Sequence, residues 1–488
     1  MMSQTSSSSR LKFNRNAGSR ASLNLNWILN YFAFLLLISL IFSNCSTSKK
    51  LYSEKPDVKE RISKPVEVRR TLPLKTTDSL SYLIENSEIL KDHFVGFVLF
   101  DPEEQENILS INASRPFTPA SNMKLYTLYA SLNYLDERIT SLDYLETGDS
   151  LVVRGVGDPS FLDPYQKDND FAFEFLSESS KNIYIDPSTF KDKKYGTGWA
   201  WDDYPYYYQA EKSGFPIYAN KFYIRKAVQD SSISIRPRIF ERYITEVSDT
   251  INQNIRREPY SNDLTINTLK LDKKLVNWDM PFANSPELFA ELLSDTLNKK
   301  VGLSNKNYEG ENFNQLKGIA TDSLLQELMT ISDNFIAEQL LLMCSYEQLG
   351  YMKTNDLIKH AMQDLFSDMP DKVRWVDGSG LSRYNLVTPN TNIWVLKKLL
   401  KEWDFEKIKT YFPSGRGNDT LDESFQYEKP WIFAKTGSLS NNFNLSGYLI
   451  TRSGQRLIFS FMNNHYMASR SDVINEMNDI LAFVRDNY

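Results

Sequence analysis

Only two cysteines and three histidines occur among the 488 residues. Two thiols cannot staple a scaffold, and no Cys/His cluster has metal-ligand spacing, so zinc hydrolase chemistry is disfavoured and no cofactor or metal is implied. His93, His360 and His465 fall in none of the motifs below, which weakens any Ser-His-Asp scheme. Long basic runs are missing too. With a net charge of −6, nucleic acid is not the expected partner. Nor is there an apolar run of membrane-spanning length: WILNYFAFLLLISLIF, Trp27–Phe42, has 16 residues with Asn30 inside, short of the ~20 that a spanning helix needs. What is present is a globular composition, 41% hydrophobic and 24% charged, on a chain longer than one core usually covers.

The run Trp27–Phe42 follows a Ser/Asn-rich stretch with Arg10, Lys12, Arg15 and Arg20 and ends at Ser43-Asn44-Cys45. That pattern suits a signal peptide. A Cys directly after an exported apolar segment resembles a bacterial lipoprotein site, although Phe42 and Asn44 depart from the usual residues. The resemblance implies lipidation of Cys45, export to the periplasm and a membrane contact through the lipid. The alternative is a retained N-terminal anchor with an incidental Cys. Cys344, in LLLMC, reads as a buried small hydrophobe.

Residues 1–45 are thus an export segment, and 46–72, charged and Pro-containing, a tether. A helix is expected near Ser79–Leu90, strands at HFVGFVLF and ILSINA, and then RPFTPASNMKLYTLYASL. In that stretch Thr118 is placed to cap a helix, Pro119 suits its first turn, and Leu125, Leu128, Tyr129 and Leu132 form its apolar stripe. From Asp143 to Lys317 the texture becomes β-like (SLVVRGVGDP, NIYID, KFYIRKAV, SISIRPRIF), with one helical segment, SPELFAELLSDTL. Helical patterns resume at TDSLLQELMTISDNFIAEQLLLM, and the chain closes with a hairpin and a helix. The expected architecture is a mixed α/β domain (73–142 and 318–488) interrupted by a long β-rich insertion (143–317).

SxxK occurs four times: Ser9/Lys12, Ser46/Lys49, Ser121/Lys124 and Ser188/Lys191. Only Ser121/Lys124 opens an apolar helix. A buried helix start fixes the Ser, aims free N–H groups at it and desolvates the Lys, which lowers its pKa toward that of a working base. Downstream, in order, come Ser332-Asp333-Asn334 at the head of an apolar helix and Lys435-Thr436-Gly437-Ser438 before the hairpin. SxxK, SDN and KTG together are the signature of class A β-lactamases and penicillin-binding proteins. Lys212-Ser213-Gly214 precedes the SDN and breaks that order.

On these motifs, and on VRGVGDPSFL, GWAWDDYPYYY, FPIYAN, VDGSGLSRYNLVTP and AKTGSLS, the chain resembles the class C low-molecular-mass penicillin-binding proteins, the D-alanyl-D-alanine carboxypeptidase/endopeptidase family. The separation of 211 positions from Ser121 to Ser332 fits that family's inserted domains better than a β-lactamase. The resemblance implies a transpeptidase-like fold with an antiparallel sheet flanked by helices, peptidoglycan stem peptides as substrate and β-lactams as covalent inhibitors. It also implies roles: Ser121 nucleophile, Lys124 base, Ser332 and Lys435 a proton relay, and Asn334 a contact to the substrate backbone. Thr436 and Lys435 suit the terminal carboxylate, with Gly437 completing the motif. The N–H groups of Ser121 and Ser438 suit an oxyanion hole. Asp203 and Tyr208 fall at positions associated with the stem-peptide side chain, and Arg383 and Ser440 at neighbouring pocket positions. For WAWDDYPYYY an aromatic core corner is an equal alternative; Arg383 has an ion-pair alternative, and DGSG, Asp377–Gly380, reads as a turn. The competing functions are a β-lactamase or esterase of the same fold and a non-catalytic peptidoglycan-binding scaffold.

Overall fold

FVGFVLFD is apolar at both parities of the strand period, which suits only a strand covered on both faces. A computed structural model describes residues 77–166, 170–229, 232–415, 419–421 and 429–488; the export segment with Cys45, the tether, Ser9/Lys12 and Ser46/Lys49 lie outside them. Helix α1 (Thr77–Glu85) leads into β1 (Phe94–Asp101) and β2 (Glu106–Ile111). A 3-10 turn, Ala120–Met123, then runs into α2 (Lys124–Tyr134).

The next region contains β3 (Arg138–Thr147), β4 (Ser150–Gly155) and β5 (Asn182–Asp186). Two three-stranded sheets between residues 221 and 281 follow, then α3 (Pro286–Leu297), β6 (Val301–Leu303) and β7 (Asn314–Ala320). The chain continues through α4 (Thr321–Thr330), α5 (Asn334–Leu349) and α6 (Pro389–Glu402). It ends with β8 (Ile432–Leu439), β9 (Asn442–Ile450), β10 (Arg456–Asn464) and α7 (Arg470–Asn487).

The main sheet has the order β8-β9-β10-β1-β2 and is antiparallel throughout. Val95, Phe97 and Leu99 of β1 point into a cluster with Leu80 and Ile84 of α1 and Val473, Met477 and Leu481 of α7. Val98 and Phe100 enter the opposite cluster, with Leu125 and Leu128 of α2, Leu340 of α5 and Leu396 of α6. Each such side chain contributes about 2 kcal/mol through burial. A second sheet, β6-β5-β4-β3-β7, pairs β7 antiparallel to β3 and so brings the two ends of the intervening region side by side. That region has its own core, including Leu142, Val153, Phe161, Phe222 and Phe289. Among the described residues no helix is long and apolar enough to cross a membrane.

One sequence expectation fails. Thr118 does not cap the helix: the 3-10 turn has Pro119 at its cap position and no side-chain cap bond. Thr118 N–H instead donates to Asn464 Oδ1 (2.8 Å), and its carbonyl accepts from Asn444 Nδ2 (2.9 Å). The closing strands hold the entry to this helix because the chain arrives there through a bridge between Phe117 and Val387, with its backbone already committed.

Candidate active site

Ser121 and Lys124 are one 3-10 turn apart, and in that geometry side chains three residues apart eclipse. Lys124 Nζ therefore lies 3.1 Å from Ser121 Oγ. It also donates to Asn334 Oδ1 (2.6 Å) and to the Ser379 carbonyl (2.8 Å). A charged lysine fills these three acceptors with its three protons. A neutral one has two N–H groups for Asn334 and Ser379, and its lone pair is left facing Ser121. Lys124 is fully buried, and the desolvation of its ammonium lowers its pKa to about 8, against the opposing pull of Asp333, Asp377 and Glu338.

Ser332 stands between α4 and α5 with φ +61°, a conformation uncommon for a non-glycine residue. Asp333 caps α5 by accepting from Ile336 N–H (2.8 Å), which places Asn334 in the first turn. Asn334 Nδ2 donates to the Tyr208 carbonyl (3.0 Å). Its amide oxygen is thus held by Lys124 and one amide N–H by Tyr208, while the side chain still lines the cleft.

KTG lies on β8, the edge strand of the main sheet. Lys435 is buried; Nζ donates to Ser332 Oγ (2.8 Å) and to the Thr436 carbonyl (2.9 Å). Burial first, and then the charge of Lys124, hold its pKa well below the usual lysine value. Gly437 is where the strand meets the Ser121 turn: a Cβ there would stand 2.4 Å from the Pro119 carbonyl oxygen. Asn122 Nδ2 fastens the same junction by donating to the Lys435 carbonyl (2.7 Å).

Ser121, Ser332, Asn334, Thr436 and Ser438 line one cleft of about 850 Å³. Asp203, Tyr208, Arg383 and Ser440 line the same cleft, and Tyr208 Oη donates to Asp203 Oδ1 (3.0 Å). All four specificity candidates thus lie in the cleft that holds Ser121. Lys124 and Lys435 are buried beneath it. The cleft walls also contain Asp202, Tyr207, Thr420 and Arg470, which the sequence reading passed over. The rival motifs are elsewhere: Lys212 pairs with Asp192 (2.8 Å), and the Ser188 N–H donates to Asp186 Oδ1 (3.0 Å).

The segment 377–382 was read from sequence as a turn, but its contact with Lys124 was not foreseen. Asp377, 1% exposed, accepts from Gly380 N–H (2.9 Å), Ser382 N–H (2.6 Å), Asn385 Nδ2 (2.7 Å) and Trp199 Nε1 (2.8 Å). Gly380, at φ +87°, passes so close that a Cβ would lie 1.8 Å from the Ala120 carbonyl oxygen. DGSG is thus a turn that supplies Lys124 with its third acceptor. Among the described residues no group of three or more His, Cys, Asp or Glu side chains is arranged to hold a metal ion. What the arrangement offers is an activated hydroxyl, a desolvated amine and a second lysine–serine pair.

Comparison with known proteins gives the same picture. The profile of the D-Ala-D-Ala carboxypeptidase 3 (S13) family matches residues 76–484. The D-alanyl-D-alanine carboxypeptidase DacB of Haemophilus influenzae is 24% identical over 436 residues, covering 81% of this chain and 90% of the relative. A D-alanyl-D-alanine carboxypeptidase of Actinomadura sp. is 25% identical over 424 residues, covering 76% and 77%. The crystal structure of penicillin binding protein 4 from H. influenzae superposes with a TM-score of 0.65 at 20% identity, over 84% of this chain and 98% of that one; the two share a fold.

Proposed function

The chain belongs to the D-Ala-D-Ala carboxypeptidase 3 (S13) family, and from that premise we propose that its cleft cuts peptidoglycan stem peptides through an acyl-enzyme on Ser121. The observation that supports this most directly is the Lys124 triangle of Ser121 Oγ, Asn334 Oδ1 and Ser379 O. Neutral Lys124 takes the proton of Ser121 as Oγ attacks the carbonyl of the penultimate D-Ala. The N–H groups of Ser121 and Ser438 receive the developing oxyanion, each worth about 3–4 kcal/mol by analogy with other hydrolases. The departing amine takes its proton from Ser332 Oγ, which is resupplied by Lys435. Charge on Lys124 disfavours charge on Lys435, so protonating the first lysine encourages the second to release a proton. Water then hydrolyses the ester.

Substrate recognition is part of the same proposal. Thr436 and Lys435 suit the terminal carboxylate, and Asp203 with Tyr208 suits the free ammonium of a diamino acid. Arg383 and Ser440 complete that wall. β-Lactams are expected to acylate Ser121. In support, the H. influenzae penicillin binding protein 4 has also been solved in complex with a β-lactam. We further propose residues 143–317 as an inserted domain, which its separate core supports, and 1–45 as an export segment with a lipid on Cys45.

The test is a labelled penicillin followed by digestion and mass spectrometry. The adduct is expected on the peptide carrying Ser121, and Ser121→Ala is expected to stop both labelling and D-Ala release. D-Ala release from muropeptides at the wild-type rate by that variant would overturn the mechanism.

A further inference from the structure

Helix α5 carries a second acid on the side of the site. Glu338 lies one turn beyond Asn334, inside the run FIAEQLLLMC, and is 1% exposed. Its Oε1 accepts from the Ser379 N–H (2.8 Å), while the carbonyl of the same residue accepts from Lys124 (2.8 Å). Ser379 therefore links the carboxylate of Glu338 to the amine of Lys124. Its neighbour Gly378 presses against α5, where a Cβ would be 2.6 Å from the Ala337 carbonyl oxygen, and Thr127 Oγ1 of α2 donates to the Gly378 carbonyl (2.7 Å). Glu338 Oε2, by contrast, has no hydrogen-bond partner among the described residues. A buried carboxylate oxygen left unsatisfied is costly; Asp377, on the segment that carries Ser379, shows what full satisfaction looks like.

We propose that Glu338 is a positioning residue for Lys124: it fixes the Ser379 carbonyl as the third acceptor of the amine, and so aims the lone pair of neutral Lys124 at Ser121. The proposal rests on the reading of Lys124 as the base. With Asn334 Oδ1 and Ser379 O both held, two N–H groups have fixed destinations and the lone pair has one direction left. If the Ser379 carbonyl turns away, the amine can rotate and spend its time misaimed. The charged groups facing Lys124 are Asp333, Asp377 and Glu338 on the acidic side and Lys435 on the basic side; those facing Glu338 are Asp377 and Lys212. Burial, helped by the charge of Asp377, pushes Glu338 up to about 7. Its ionised form favours charged Lys124, so removing that charge lowers the Lys124 pKa.

The experiment is the rate of penicillin acylation as a function of pH for the wild type, Glu338→Gln and Glu338→Ala, with thermal melts alongside. Glutamine keeps an acceptor for the Ser379 N–H and loses the charge. E338Q is expected to retain a plateau rate within about threefold of wild type, with its acid limb moved to lower pH. E338A is expected to lose at least tenfold in plateau rate. An E338A variant that acylates like wild type, or an E338Q acid limb that does not move, overturns the proposal. Should E338A not fold, the E338Q profile decides alone. If the wild type itself takes no label on Ser121, the functional reading fails instead.

Discussion

A lysine that is to receive a proton has to arrive uncharged, and an uncharged lysine at neutral pH has to be kept from water. Lys124 meets this condition through burial, which brings it to about 8. In the proposed mechanism only the neutral form accepts the proton of Ser121, so the acylation rate is expected to rise with pH and to level off above about 8. Stopped labelling with a fluorescent penicillin between pH 6 and 9.5 checks this, and Lys124→Ala should lose about 10²–10⁴-fold at the plateau. These residues were legible in the sequence because their chemistry repeats as short motifs in a fixed order. Ser379 and Asp377 were not, since what Lys124 uses is a backbone carbonyl on a loop 255 residues away, and a carbonyl has no sequence signature. Glu338 left one mark, an acid amid FIAEQLLLMC, which calls for a buried donor.

Elements bring these residues together by approaching more closely than side chains normally permit. Gly380 and Gly437 are the two contact points, one under Ala120 and one under Pro119. Gly380→Ala combines a left-handed backbone with a clash against a backbone oxygen, and a loss of more than about 2 kcal/mol in stability is expected. Urea unfolding measures the stability, and penicillin labelling of the remaining folded fraction should fall with it; an unchanged midpoint would count against this account. The strand and helix periods of β1, α2 and α7 were readable from their apolar spacing. The 3-10 start at Ala120 was not, because it is imposed by Asn444 and Asn464 reaching in from the far end of the chain.

For the whole molecule, buried carboxyls set the dependence of stability on pH. Burial raises Asp163 to about 6, Glu338 to about 7 and Glu327 to about 8. A carboxyl raised in the folded state binds its proton more tightly there than in the unfolded chain. Its contribution to stability is therefore lost as pH climbs from the ordinary carboxylate range, about 4, through those values. Lys124, lowered to about 8, acts the other way, and its contribution grows between about 8 and 10.5. The melting temperature is expected to fall from pH 5 to 8, and Glu327→Gln should stabilise the protein more at pH 8 than at pH 5. Equal effects at both pH values in calorimetry would contradict this.

The main sheet takes β1 and β2 from before residue 112 and its other three strands from after residue 431. A growing chain therefore presents its hydroxyl and amine early, while the strand carrying Lys435 is still unmade. Until β8 is made, a nascent chain lacks Lys435 and cannot hold the complete set of reactive groups. Whatever activity the cleft has is therefore withheld until β8 has been made and paired into the sheet.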